Sequence, residues 1–403
     1  MIPVAEARAR ILQRVRPVAE EWVTLREARG RVLARDLPAL RTQPPHDVSA
    51  MDGYAVRAAD TDPPGRPLRV VGEVAAGHTF AGRMGPGEAV RIFTGAPLPA
   101  GADAVLIQER ARREGDRVVP EVAVPPGRFV RPAGLDFRAG DPGLVAGTVL
   151  DGRSLGLAAA MGHGWLPVRR RPRVAVLATG DELVFPGATP RGAQIVSSNS
   201  TAVGALAEAW GAEVHDLGIA RDDPADLVRA LEQARGMDVL VTTGGASVGA
   251  YDFVQDAAGR LGLELDFWKV AMRPGKPLVF GTLGPTLFLG LPGNPVSAAV
   301  CALVYLRGVL RAALGLDPAL PERTAVLAVD LPANDEREDF LRGLVEGEDD
   351  HGRPRVRPAP RQDSSMYRTF ALADVLIRRP RHDPPRRAGE AVAVIELARV
   401  TAG

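Results

Sequence analysis

Fifty side chains of this 403-residue sequence are basic, and only two of them are lysines: Lys269 and Lys276, seven positions apart. Arginine is a flat, permanently charged fork, whereas lysine is a compact point charge on a narrow stem, the form a confined oxyanion pocket can require. A general preference for arginine as surface charge explains the arginines but not where the lysines sit. Lys276 lies in a turn, Arg273-Pro274-Gly275-Lys276-Pro277, and three further turns share its character. They are Thr179-Gly180-Asp181-Glu182, then Thr243-Gly244-Gly245-Ala246-Ser247-Val248-Gly249, and Leu291-Pro292-Gly293-Asn294-Pro295 at the start of a long apolar stretch. Glycine lets backbone amides approach an anion closely, and a helix N-terminus adds partial positive charge. One such turn is commonly no more than a turn. Four of them beside two lysines make a phosphate-binding surface.

Carboxylates share these segments. Asp181, Glu182 and Asp252 fall within or just after the turns, and Asp222 or Asp223 follows a further strand-like run, with one of the two expected to cap the next helix. Acids beside a phosphate site suit a hard divalent cation such as Mg2+, held by carboxylate, phosphate and water oxygens, with metal-assisted attack on a phosphate ester or anhydride as the chemistry. The histidines (His46, His78, His163, His215, His351 and His382) show no ligand spacing, and a lone Cys301 excludes an intramolecular disulfide or a cysteine-rich zinc site.

The elements that must position these residues follow from periodicity. Val4, Ala7, Ile11, Leu12 and Val15 recur at helical spacing, and Thr24 to Glu27 has a capping-box pattern that predicts a second helix through Val32 and Leu33. From 68 to 124, short apolar runs (68–74, 89–93, 104–107, 118–124) alternate with Gly and Pro, as in a compact β domain. A short helix over 155–161 suggests that the chain then returns to its first domain, so that the β unit is an insertion. Beyond a basic linker at 169–173, strands (174–178, 213–219, 239–243, 263–268, 286–289) alternate with helices (201–210, 224–234, 253–261, 296–314), which predicts a mostly parallel sheet covered on both faces. Ligands then collect outside the carboxyl ends of the strands, where the turns fall. Strands return at 325–329, 340–345, 375–377 and 392–395. The expected fold class is multidomain α/β: a discontinuous helical or mixed domain (1–46 and 140–170), an inserted β domain (47–139), an α/β ligand-binding domain (171–317) and a C-terminal β domain (318–403).

Composition bounds the partners. A net charge of +1 gives no global field toward nucleic acid or a membrane. No signal pattern opens the chain, and no apolar run approaches the ~20 residues of a spanning helix, which points to the cytoplasm.

The motifs in which these residues lie resemble those of the MoeA-type molybdopterin molybdenumtransferases, the family that includes the E domain of gephyrin. The matching stretches run almost end to end: SAMDGYAV (49–56), RIFTGAPLP (91–99), TGDELV (179–184), SNS (198–200), RDDP (221–224), GGASVGAYD (244–252), FWKVAMRPGKP (267–277) and GLPGNPVSA (290–298). The resemblance implies a four-domain protomer in a homodimer, with a third domain of MogA-like fold. Its substrates would be adenylylated molybdopterin and molybdate; Mg2+ assists and AMP leaves. MogA-type adenylyltransferases and molybdoenzyme maturation proteins are the implied partners. By matching position, Asp52, Thr94, Glu182, Asp222, Asp252 and Lys269 look catalytic, with Glu182, Asp222 and Asp252 as the metal ligands. Asp136, Thr179, Gly180, Asp181, Ser198, Gly244, Gly245, Ser247, Gly249, Arg273, Lys276, Pro292, Gly293, Asn294 and Pro295 look substrate-binding. The family site is built between domain III of one subunit and domain II of the other. Arg273 stands where the family commonly has lysine, and Leu135 where it usually has an acid. Two other readings compete: a MogA-type adenylyltransferase, against which the SAMDGYAV and TGAPLP segments argue, and an idle scaffold of the same fold, which would be expected to lack pocket acids or lysines. A nucleotide-binding oxidoreductase is disfavoured because no GxGxxG follows an early strand.

Overall fold

The computed structural model describes residues 1–244, 259 and 261–401. The chain forms two compact units: Met1–Glu21 with Gly30–Val32 and Val168–Gly403, and Trp22–Arg29 with Leu33–Pro167.

At the centre of the larger unit is a six-stranded sheet, in the order Glu213–Ala220, Arg173–Thr179, Val239–Thr243, Thr286–Leu291, Val279–Leu283, Leu263–Trp268. The first four strands are parallel; Val279–Leu283 runs against them, and Leu263–Trp268, antiparallel to it, runs with them again. Alternate side chains of the parallel strands enter different cores. Val174, Val176, Val239 and Val241 pack with Val203 and Ala207 of the helix Asn199–Ala209 and with the helix that begins at Pro295. Ala175, Leu177 and Leu240 pack instead with Leu227 and Leu231 of the helix Pro224–Glu232. A fully buried Val or Leu of this kind contributes about 1.5–3 kcal/mol, and covering both faces is what permits near-continuous apolar strands. Helices on both faces of a mostly parallel sheet are what the alternating pattern predicts. The helix expected over 253–261 falls largely outside the described residues.

The apolar stretch after Pro295 needs a correction to the sequence reading. Pro295–Ala313 is long and apolar enough to cross a bilayer, yet 89% of its window is buried within the protein. It is a core helix. Ala302–Leu306 within it forms a π-helical turn, and Nη1 of Arg8 donates to the Val304 carbonyl at 2.8 Å.

The C-terminal strands close on themselves. Glu338–Glu348, Pro354–Pro358, Glu322–Leu327, Ala391–Glu396 and Val375–Arg379 pair in that order, and the last returns to the first. Closure leaves none of these five strands as an open edge. Met272 and Arg273 add a short parallel strand beside Glu338 and Asp339.

In the smaller unit a six-stranded sheet runs Ala104–Ile107, Gly53–Val56, Glu88–Ile92, Leu68–Val74, Arg117–Pro120, Ala111–Glu114. The second helix predicted from Thr24 does not form. Thr24 and Glu27 make the reciprocal bonds of a capping box, but the chain completes only one turn, Ala28 N–H to Thr24 C=O. Gly30 then takes φ +72° and ends it.

Candidate functional site

Register decides which turns meet. Thr179 pairs with Ala220, Ala178 with Thr243, and Thr243 with Leu291. The segments that follow these strands therefore emerge along one carboxyl edge. Strand Arg173–Thr179 has its sequence-adjacent partner on one side and Val239–Thr243 on the other, so the chain changes direction beside it, the place where α/β sheets leave a ligand crevice. Three contacts, two of them between backbone groups, knit the turns. Gly180 N–H donates to the Ala220 carbonyl at 3.2 Å and Gly244 N–H to the Leu291 carbonyl at 3.3 Å. Asn199 Nδ2 donates to the Gly293 carbonyl at 2.7 Å. Gly244 has φ +95°, and a Cβ there would collide with the Thr179 carbonyl oxygen; only glycine fits so close an approach. Beneath this turn Thr179 is 2% exposed, and its buried hydroxyl has no hydrogen-bond partner among the described residues.

The acids gather at the same edge. Asp223 accepts from the Ala225 and Asp226 amides and caps the helix Pro224–Glu232. Its neighbour Asp222 is left to the site, where its own N–H reaches Asp181 Oδ1 at 3.3 Å. Burial, then the charges of Asp181 and Glu182, push the Asp222 carboxyl above the ordinary aspartate range. Among the described residues no three acids or histidines form a ready metal cluster; the expected third ligand, Asp252, lies outside those residues, as do Gly245, Ser247 and Gly249. A raised carboxyl pKa favours the folded state only while the group is protonated, so this contribution is full below the unfolded value and is lost as pH rises through the folded one. Asp222→Asn is therefore expected to melt higher than the parent at pH 7. The gain should vanish as pH falls below the ordinary aspartate range, and melting curves across pH 3–8 check it.

The turn that opens the core helix is less open than its sequence suggests. Asn294 occupies the cap position without capping: its Nδ2 donates to Ser364 Oγ at 2.9 Å. Val296 N–H donates to the Ser364 carbonyl. Pro295 has no N–H, so part of the expected anion-binding helix start is filled by the protein itself. Pro292 is buried, while Gly293, Asn294 and Ser198 are exposed. Asn199 and Ser364 are joined to this edge by contacts between segments far apart in the chain, which no local sequence pattern displays.

Lys269 has an unusual backbone for a long side chain, φ +77°. Its N–H donates to the Leu278 carbonyl at 3.1 Å, and its carbonyl accepts from Ile2 N–H at 3.4 Å. Ile2 in turn accepts from Ala271 N–H at 2.8 Å, so the first residues of the chain form one wall of the lysine segment. Val270 N–H donates to the Lys276 carbonyl at 2.9 Å, which closes the turn. Nζ of Lys269 lies 3.5 Å from the ring centroid of Trp268. The Lys276 side chain is exposed. Arg273 points elsewhere: Nε and Nη2 grip both oxygens of Asp339 at 2.7 and 2.6 Å, and Nη1 reaches Asp335 at 3.2 Å. Its fork ties the turn to the C-terminal barrel, an engagement its sequence position did not suggest.

Asp52 and Thr94 meet in the smaller unit. Gly53 pairs with Ile92, which places the residue before one strand next to the residues after its antiparallel neighbour. Asp52 Oδ1 accepts from the Thr94 N–H at 2.8 Å and from its hydroxyl at 2.9 Å. Those bonds, backbone first, and the charge of Arg91 hold the Asp52 carboxyl below its usual range. Asp136 lines a cleft of 490 Å³ with Gln43, His46, Gly95, Arg131 and Leu135.

Comparison with known proteins agrees with this layout. Residues 2–162 match the MoeA N-terminal region (domain I and II), 175–312 a probable molybdopterin binding domain, and 324–397 the MoeA C-terminal region (domain IV). Molybdopterin molybdenumtransferase 2 of Mycobacterium tuberculosis is 38% identical over 400 residues, spanning 96% of this chain and 97% of the relative. The chain belongs to the MoeA family of molybdopterin molybdenumtransferases. The Haemophilus influenzae molybdopterin molybdenumtransferase is 34% identical, with 98% of each chain covered. A solved structure described as a molybdopterin biosynthesis MoeA protein from Pyrococcus horikosii superposes with a TM-score of 0.87 at 30% identity, covering 98% of this chain and 99% of that one. A mostly parallel α/β sheet followed by a separate β barrel is thus the fold of a MoeA-family member.

Proposed function

We propose that this protein inserts molybdate into adenylylated molybdopterin with release of AMP. The observation that carries the reading is the single carboxyl edge along which Gly180, Gly244 and Gly293 converge with Asp181 and Asp222. Backbone amides and the lysine segment suit the anhydride's phosphates, while Thr179 offers a buried hydroxyl. Hard carboxylate oxygens, one of them pushed up in pKa by burial and then by its acidic neighbours, suit Mg2+, which Glu182, Asp222 and Asp252 would hold beside phosphate and water oxygens. Bound there, Mg2+ would offset negative charge at the anhydride. The protein's own groups bind and orient: Lys269 places a point charge toward a phosphate or molybdate oxygen, and the Asn199–Gly293 bond fixes the turn after Leu291.

Asp52 and Thr94 act in a homodimer in this reading, each from one subunit on the site of the other. Their unit carries neither lysine and none of the four turns, yet holds Asp52 as a charged carboxylate. Asp136 and its cleft belong to the same contribution. The four-domain division 1–46 with 140–170, 47–139, 171–317 and 318–403 goes with this proposal, as does a cytoplasmic setting and supply of the adenylylated pterin by a MogA-type enzyme.

Purified protein supplied with adenylylated molybdopterin, molybdate and Mg2+ is expected to release AMP and yield metal-loaded cofactor. The readouts are AMP by chromatography and reconstitution of an apo-molybdoenzyme. Absence of molybdate-dependent AMP release, with a known transferase working in parallel, would reduce the protein to an idle scaffold of this fold.

A further inference from the structure

We infer that Trp268 is a positioning residue for Lys269, fixing its ammonium before any ligand arrives. The inference rests on the proposed site, within which Lys269 meets an anion. Three observations converge. The Lys269 ammonium sits 3.5 Å from the centroid of the Trp268 ring, well inside the range in which a cation is drawn to an indole face. The Lys269 backbone is pinned on both sides, to Leu278 and to Ile2, in a left-handed conformation that a long side chain seldom adopts. Trp268 itself packs on the apolar core formed by Ala175, Leu177, Leu240 and Val279, so the ring is part of the rigid sheet and not of a loose loop.

Neighbouring residues on an extended strand point to opposite faces. The left-handed turn at Lys269 breaks that alternation, and its side chain comes back over its neighbour's ring. A lysine with four rotatable bonds would otherwise sweep a wide volume and lose that freedom on gripping an oxyanion. Held over the indole, it is ordered in advance, and the gain appears as tighter binding of the anion. The strained φ is the means, since residues in such conformations gather where a side chain must be aimed.

The test uses the full-length enzyme with tryptophan analogues inserted only at position 268: tryptophan, 5-fluoro-, 5,7-difluoro- and 5,6,7-trifluorotryptophan. Size changes little, while the ring face becomes steadily less attractive to a cation. The KM for adenylylated molybdopterin is expected to climb with each fluorine, reaching about tenfold, as loss of a contact of about 1.4 kcal/mol implies. kcat and the melting temperature should stay close to the parent. In a Lys269→Met background, where turnover is lost and the series is read as the Kd for adenylylated molybdopterin, it should be flat. A flat series with Lys269 present would overturn the positioning role, and so would an equal slope in both backgrounds, which would make Trp268 merely structural. Lys269→Met with an unchanged KM and kcat would instead refute the proposed site, so the two failures are told apart.

Discussion

Lys269→Gly is expected to cut turnover by at least about tenfold to a hundredfold without destabilising the protein. Most substitutions at a partly buried position lower stability by about 1 kcal/mol. Here the native residue holds φ +77°, a conformation that costs a non-glycine residue about 1–2 kcal/mol and glycine almost nothing. Glycine returns part of that gain through a freer unfolded chain, about 0.4–1 kcal/mol. The net change should lie between neutral and slightly stabilising. The backbone bonds to Leu278 and Ile2 survive, because they do not involve the side chain. Activity moves the other way, since removing a charged donor to a phosphate or molybdate oxygen costs about 1.5–3 kcal/mol, roughly tenfold to a hundredfold before any loss of orientation is counted. Lys269→Arg separates charge from shape. A guanidinium can still lie on the Trp268 ring, so a large loss of AMP release with arginine would assign the requirement to the compact ammonium. An arginine enzyme with full turnover would mean that the rarity of lysine in this chain carries no information about the site. The measurements are AMP release and thermal melting for both variants.

That prediction depends on a feature the sequence does not display. The alternation of strands and helices from 173 to 314 was legible because covered parallel strands read as short apolar runs between polar turns, and the turns did fall on one edge. The hairpin Val279–Leu283 to Thr286–Leu291 was only half legible. Both strands are buried on both faces, so the run through Leu291 lacks alternation, and only the second strand stood out. Thr24 and Glu27 show the reverse failure, in which sound capping chemistry lacked a helix to cap. At the site, the choice between Asp222 and Asp223 was left open by sequence, because either could cap; the geometry gives that task to Asp223. Lys269's left-handed backbone had no sign at all, since Gly or Asn is the usual mark of such a position. Its wall, Ile2, lies at the other end of the chain, beyond the reach of any local pattern.

Two inactive proteins should make an active one when mixed. Asp52→Ala removes the carboxylate that Thr94 grips in the smaller unit, and Lys269→Met removes the ammonium from the larger. If each site combines the larger unit of one subunit with the smaller unit of its partner, each homodimer carries one lesion in both of its sites. A mixed dimer gathers both lesions into one site and leaves the other whole. Random exchange of equal amounts places half the dimers in the mixed form, so recovery should approach about a quarter of parental activity. Neither substitution should disturb assembly. Asp52 is a surface carboxylate whose two bonds come from one neighbouring residue, and methionine is close to lysine in length and shape. The experiment co-expresses the two variants under different tags, isolates the doubly tagged dimers and measures AMP release per dimer, where the expected value is about half that of the parent. If the site were built within a single chain, every subunit would carry a damaged site and the doubly tagged dimers would stay inactive. Inactivity in verified mixed dimers would therefore return Asp52 and Thr94 to the site of their own subunit, and recovery would assign them to the partner's.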